Sequence, residues 1–294
     1  MKLLNCCVLC GGSSPAPYAM RFKVGTPHIA RVRCTSCTAV FANPIAEESE
    51  LVGFYQNYYD KGNFELFRYK ETHAQRFRDY EFMTQSQLRG AFDYVLKYKE
   101  SGAFLDIGFG LGDPLYLAQL HGFKVFGTEY DADAIAFVSS YVPDGTWHQG
   151  DLMDSPFEEG SFHFIRFWHV LEHVLAPREY MRKIRKLLKP TGVLIIGTPN
   201  ISNAGYRLHR FANLSVHRIP GIVDGMEHTV LFNRRTLSKL VEAEGLEIIE
   251  HYTHSHVEDY RKLLREQIPQ LKKVVRVLQS VFHINQTLYA KRPD

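Results

Sequence analysis

From Ala103 onward the chain alternates short strands with helices, and this order constrains the fold more than any other feature of the sequence. Ala103–Ile107, Lys124–Thr128, Thr146–Gln149, Phe162–Phe167 and Val193–Thr198 read as strands. Pro114–His121, Ala132–Val142 and Pro177–Leu188 read as helices between them, and Pro114 suits a first helical turn. Repeated strand–helix units imply a parallel sheet with helices on both faces, a doubly wound α/β fold. Further on, Arg234–Glu244 reads as a helix ending at Gly245, with Leu246–Tyr252 and Ile284–Lys291 as two last strands. Helical stripes over residues 258–280 flank Pro269.

The first strand runs into Asp106-Ile-Gly108-Phe-Gly110-Leu-Gly112-Asp113. A dinucleotide fingerprint starting at Gly108 requires glycine at 113, where Asp113 stands. The spacing is instead D-x-G-x-G-x-G, between a strand and a helix. Glu129 ends the second strand, where an acid can accept both ribose hydroxyls of a nucleoside. Asp151 follows the third strand and could accept from an adenine amino group.

Taken together, LDIGFGLG, VFGTEYD, HQGDLMD, FHFIRFWHVLEHV and LLKPTGVLIIGTPN resemble a class I S-adenosylmethionine-dependent methyltransferase over residues 90–293. The resemblance implies a Rossmann-like, doubly wound, mostly parallel seven-stranded sheet whose last strand is antiparallel. It implies S-adenosylmethionine as cofactor, with Asp106, Gly108 and Gly110 around the methionine end, Glu129 on the ribose, and Asp151 and Leu152 flanking the adenine. Phe109, Tyr130 and Phe167 complete the expected cofactor set. Gly112-Asp113-Pro114 departs from the small or apolar residues usual at that point. Tyr58-Tyr59 resembles paired tyrosines that close over the cofactor in some relatives, with ordinary aromatic packing as the alternative.

Methyl transfer from a sulfonium requires alignment, exclusion of water and, for a hydroxyl acceptor, removal of a proton. Histidine suits the last task. His169 and His173 follow the fourth strand, at the edge where such sheets bind ligands. His228 lies in a loop where the family places a substrate-facing histidine. For each, a structural histidine bonded to backbone is the alternative. Asn200 ends the fifth strand and can orient a polar acceptor, and Trp168 can wall the pocket. His169-Val-Leu-Glu172-His173 also matches HxxEH, an inverted zinc-peptidase signature, but it begins at a strand end, and Glu172 can serve as a helix N-terminal acid. The basic residues from Arg178 to Lys189 alternate with Met181, Ile184, Leu187 and Leu188, as on an amphipathic surface helix.

All five cysteines lie in the first 37 residues, as Cys6, Cys7, Cys10, Cys34 and Cys37. Two CxxC pairs, Cys7/Cys10 and Cys34/Cys37, supply four thiolates and fit one structural zinc, as in a zinc ribbon. Idle thiols or disulfides are the alternatives, and the register could use Cys6 in place of Cys7. The expected organisation is a zinc-ribbon-like module at 1–45, a helical linker or lid at 46–100 broken near Gly53 and Gly62, and a core at 101–294. That core includes an acceptor loop at 199–232 and C-terminal helices at 258–280.

The cysteine-rich start joined to this core resembles bacterial methyltransferases of small molecules, nucleotide sugars and glycan-related acceptors. A net charge of +3 argues against a nucleic-acid-binding module, the rival reading, and RNA or tRNA methylation is the mixed case. No apolar run reaches membrane-span length, and Leu3-Leu4-Asn5-Cys6 lacks the apolar stretch of a secretory signal, so a cytoplasmic protein is expected.

Overall fold

The computed structural model describes residues 1–13, 15–18, 31–56, 101–202, 228–254 and 285–294. In chain order the elements are β1 (Pro15–Tyr18), β2 (Arg31–Cys34), β3 (Val40–Ala42), α1 (Glu48–Tyr55), β4 (Ala103–Ile107), α2 (Asp113–Leu120), β5 (Lys124–Glu129) and α3 (Ala132–Ser139). They continue with β6 (Thr146–Gln149), a 3-10 turn at Leu152–Asp154, β7 (Phe162–Trp168), α4 (Pro177–Leu187), β8 (Leu188–Pro199), β9 (Val230–Leu231), α5 (Arg234–Ala243), β10 (Glu247–His254) and β11 (Asn285–Lys291).

Seven strands form one mixed sheet in the order β10-β11-β8-β7-β4-β5-β6. Within it β4 pairs in parallel with both β5 and β7, and β5 in parallel with β6. This is the Rossmann-like α/β class expected from the strand–helix alternation. The central strands are apolar because a parallel sheet is covered on both faces: Phe104, Leu105 and Ile107 of β4 and Phe164, Ile165 and Phe167 of β7 are buried. The helices start where local chemistry permits. Asp131 caps α3 by accepting from the amides of Asp133 and Ala134, and Asn233 and Thr236 form a reciprocal capping box on α5.

A second sheet has the order β1-β2-β3-β9, so a strand from beyond position 229 completes the N-terminal hairpins. The described chain divides into two compact units. One holds Met1–Glu47, His169–Met181 and Ile196–Ala290; the other holds Glu48–Trp168, Arg182–Ile195 and Lys291–Asp294.

Three local expectations change. α1 runs through Gly53 rather than breaking there, and nothing lies within 4 Å of where a Cβ would stand, so this glycine occupies an open helical position. β8 begins at Leu188 rather than Val193. The Thr191 amide donates to Arg292 O (3.1 Å) and the Arg292 amide to Gly192 O (2.9 Å), which draws a turn-like Pro-Thr-Gly stretch into the sheet. Residues 169–173 form a turn and not a helix, which removes both the zinc-peptidase reading and the helix-terminal role for Glu172. The expectations for Tyr58-Tyr59, for 57–100, for most of the acceptor loop and for 258–280 lie outside the described residues.

Candidate functional site

The glycine edge lies within the second unit. After β4 the chain turns through Gly108, Gly110 and Gly112, all with positive φ (63°, 56° and 69°), a region open to glycine at little cost. Glu129 closes over this loop from the end of β5. Its Oε2 accepts from the Gly110 amide at 2.8 Å, and its Oε1 accepts from the amides of Tyr130 (2.8 Å) and Asp131 (3.2 Å). Burial pushes the Glu129 carboxyl above its ordinary range, against the downward pull of those amides.

Asp106 is fully buried, and both its oxygens lie 3.0 Å from Arg166 Nη1, its register partner on β7. Burial raises its carboxyl and Arg166 opposes the shift. The Arg166 guanidinium also covers the Trp168 ring at 5.0 Å. Asp151 Oδ2 accepts from the Tyr130 hydroxyl at 2.7 Å, and its Oδ1 caps the 3-10 turn through the Met153 amide. Phe109, Leu152 and Phe167 are buried. The Phe109 ring packs on Trp147 and lies so close over Gly127 that a Cβ there would come within 2.3 Å of it. Each acid expected at the cofactor thus also has a structural partner. Arg166 was not among the expected site residues, although an arginine in the apolar run Phe162–Trp168, level with Asp106, was its signal.

The histidines gather in the first unit around Glu172, which is 1% exposed. Glu172 Oε1 lies 3.1 Å from His169 Nδ1 and 4.0 Å from His173 Nε2, and Oε2 accepts from the Thr198 hydroxyl at 2.9 Å. Burial alone would raise this carboxyl. The His169 hydrogen bond and the charges of His169 and His173 outweigh it and hold the group below its ordinary value. His169 itself has φ 54°, a left-handed conformation unusual for a non-glycine residue, and its amide is tied to Gly197 O at 2.8 Å.

The His228 ring lies 4.4 Å from that of His173, at 70°. His228 is buried, and its Nδ1 has no hydrogen-bond partner among the described residues. Burial, then the neighbouring His173 and Arg31, lower its pKa well below the usual imidazole value, so the ring is neutral. His251 is the instructive contrast. It is also buried, but Ser238 Oγ and Gln286 Oε1 each lie 3.0 Å from one of its nitrogens, as in a purely structural histidine. Ligand atoms of Glu172, His173 and His228 lie within 4.8 Å of one another, close enough for a cation, but both carboxylate oxygens are already engaged by His169 and Thr198. Asn200 is buried, and its Oδ1 accepts from the Ser202 amide.

Cys7, Cys10, Cys34 and Cys37 place their sulfurs within 4.8 Å of one another, while Cys6 is exposed and outside the group. Two edges measure 3.6 Å (Cys7–Cys37) and 3.5 Å (Cys10–Cys34). A tetrahedral ion with zinc–sulfur bonds of about 2.3 Å has edges of about 3.8 Å, so the donor set fits zinc. The two CxxC turns repeat each other's backbone. Gly11 N donates to Cys7 O and Thr38 N to Cys34 O, while Cys7 N and Cys34 N donate to Gly12 O and Ala39 O. Gly11 and Thr38 both have positive φ, 71° and 67°. The Leu9 and Cys37 amides point at the sulfurs of Cys7 and Cys34. Burial pushes the Cys34 thiol up, but the amides of Cys37 and Ser36 and the Cys10 and Cys37 side chains hold it at about 6.

A strand, a glycine loop, a helix and an acid closing the next strand form the arrangement seen at nucleoside-binding edges of α/β sheets. Residues 72–251, more than half of the chain, match the family described as "Methyltransferase domain", and the chain belongs to that family. It is 25% identical over 127 residues to a probable S-adenosylmethionine-dependent methyltransferase of Mycolicibacterium smegmatis, covering 42% of this chain and 44% of the relative. It is also 25% identical over 118 residues to a demethylmenaquinone methyltransferase of Chlamydia muridarum, covering 39% and 52%. The chain spans 35–52% of the length of such curated relatives. The S-adenosylmethionine-dependent methyltransferase from Mesorhizobium loti has the same fold, at 16% identity and a TM-score of 0.51 over 71% of this chain and 100% of that one. One from Archaeoglobus fulgidus gives 19% and 0.50 over 78% and 100%.

Proposed function

We propose that the chain transfers a methyl group from S-adenosylmethionine to a hydroxyl of a small-molecule or sugar-like acceptor, and that the imidazoles around Glu172 take the proton. Family membership and the names of the relatives support the methyl transfer, and the demethylmenaquinone enzymes among them support a small acceptor. When bound, the cofactor supplies a methyl group already activated on a positively charged sulfur. Gly108 and Gly110 provide the open turn beside it. Glu129 gives three of a carboxylate's roughly four acceptor positions to backbone amides, leaving one for a ribose hydroxyl. Asp151 and Tyr130 border the base.

One observation carries the proton step: the buried Glu172 carboxyl, which the neighbouring imidazoles hold below its ordinary value, faces His169 Nδ1 at 3.1 Å. A carboxylate there requires a proton on Nδ1, which leaves the lone pair on Nε2 and stabilises the imidazolium formed when that nitrogen takes a proton. His173 lies beside the same carboxylate and shares its field. His228 cannot hold a proton cheaply where it is buried, so it orients the acceptor through its unpartnered Nδ1. His169 follows the last residue of β7, at the carboxyl end of the sheet, where ligands of such folds bind. The four cysteines hold one structural zinc, in a cytoplasmic protein whose thiols stay reduced. Residues 1–45 are then a metal module, 46–100 a linker or lid and 101–294 the transferase core.

Incubation with methyl-labelled S-adenosylmethionine and parallel panels of hydroxylated small molecules, nucleotide sugars and tRNA tests the acceptor class. Label in a small acceptor is expected, and label in tRNA alone overturns the assignment. If His169→Gln, His173→Gln and His228→Gln each leave single-turnover rates unchanged, the base is wrong and an already nucleophilic amine or carbon acceptor replaces the hydroxyl.

A further inference from the structure

Arg31 and His228 are 197 positions apart, yet the Arg31 Nη1 donates to His228 O at 2.6 Å, and both residues are buried. Arg31 begins β2, and Cys34 of the metal cluster ends it. Opposite Arg31 in register stands Ala42 of β3, whose amide donates to Thr229 O at 2.9 Å. The pairing continues from Phe41 to Val230 and from Val40 to Leu231. On the other side of the same segment, Glu172 O accepts from the amides of Thr229 (2.8 Å) and Val230 (3.1 Å), and the Thr229 hydroxyl lies 3.0 Å from Glu172 O and 2.7 Å from Val174 O. Residues 228–230 are therefore clamped between the cysteine module and the Glu172 turn. A strand as short as β9 has little stability of its own.

We propose that Arg31 is a positioning residue for His228 and Glu172, and that the ion held by Cys7, Cys10, Cys34 and Cys37 keeps Arg31 in place. The cysteine module is then a wall of the acceptor site and not an appendage to it. The physical reason is the size of the module: β2 and β3 contribute seven residues, and the turn that sets their register is closed by Cys34 with Thr38 and Ala39, with the Cys37 amide on the Cys34 sulfur. Small modules of this kind derive their folding free energy from the metal. Arg31 suits the role because its planar fork holds a carbonyl in a fixed direction, which a lysine ammonium does not. The inference rests on the proposed reading of His228 as facing the acceptor, but its test does not.

The test is hydrogen exchange on the full chain, resolved to residues 228–233, with zinc bound, with zinc stripped by EDTA, and in zinc-loaded Arg31→Met and Arg31→Lys. Zinc content is followed with a chromogenic chelator. Stripping and Arg31→Met should each speed exchange at Thr229 and Val230 by about tenfold or more, with β4 amides unchanged. Arg31→Met should keep its zinc and its affinity for S-adenosylmethionine, Arg31→Lys should restore protection in part, and the His228 ring nitrogen signals should move in Arg31→Met. Protection at Thr229 and Val230 that survives both stripping and Arg31→Met overturns the proposal, as does a native chain that contains no metal. If stripping unfolds the whole chain, zinc-loaded Arg31→Met decides alone. Should the acceptor-facing reading of His228 fail instead, histidine substitution would leave turnover intact while the exchange coupling persisted.

Discussion

The glycine edge and the Glu172 cluster both rest on buried carboxylates, and they are built in opposite ways. Glu129 finds its partners at positions 110, 130 and 131, within 19 residues along the chain. Glu172 finds His169 nearby but Thr198 26 residues on, and its carbonyl is held by Thr229, 57 residues away. The electrostatics also differ. At the glycine edge burial wins, and the carboxyls of Asp106 and Glu129 are raised. At Glu172 the imidazoles win over burial, and the carboxyl is lowered. The first region is a loop shaped by its own glycines, whereas the second is a meeting point of four chain segments whose geometry depends on everything that holds them.

The strongest way to separate the two is Glu172→Gln. It removes the anion that orients His169, so single-turnover methyl transfer should fall by about 10²–10⁴ while S-adenosylmethionine affinity, measured by calorimetry, stays within twofold (roughly 0.4 kcal/mol). Arg166→Met acts on the other region. It leaves Asp106 buried beside no cation and should cost about 3–5 kcal/mol of stability in urea unfolding. Glu129→Ala should weaken S-adenosylmethionine binding by about tenfold or more, and it also frees the Gly110 amide. Unchanged affinity would remove Glu129 from the cofactor site.

The pH response offers a gentler test. His228 has its folded pKa well below the ordinary imidazole value of 6.5, so as pH falls below 6.5 the unfolded chain takes a proton that the folded chain refuses, and stability is lost. Glu172 adds to this: its contribution is full above its ordinary value of 4.5 and is lost as pH falls through the lowered one. Asp106 and Glu129 have the opposite sign, because their raised values favour the folded state at low pH and this advantage fades as pH rises through them. Between pH 7 and 5, exchange should therefore quicken at Thr229 and Val230 before it does in β4 and β5. The smallest effect belongs to the cysteine turns. Thr38→Gly should raise stability by about 0.5–1 kcal/mol by relieving a left-handed threonine, with zinc content unchanged.

Strand–helix alternation and turn chemistry made the α/β core legible. β4 and β6 stand at the bounds read from sequence, and α5 ends one residue before its expected limit. Cysteine spacing points to Cys7 and not Cys6, and the four sulfurs that gather are those of Cys7, Cys10, Cys34 and Cys37. The second turn was harder to recognise as a copy of the first, because Thr38 occupies the place held by Gly11 and no residue type announces its positive φ. The histidines could be nominated but not ranked: His228 and His251 are both buried, and only their partners tell them apart.

Sequence by itself determined the covalently local part: which stretches are strands and helices, where glycines open the loop after β4, and which thiols can share an ion. These follow from backbone sterics and from spacing along the chain, which a sequence carries directly. Only the tertiary structure decided that β9 completes the N-terminal sheet, that Arg166 neutralises Asp106, and that Arg31 reaches His228. A hydrogen bond between groups 197 positions apart leaves no local trace, because its existence depends on where the packed sheets bring each backbone carbonyl and not on the identity of its neighbours in the chain.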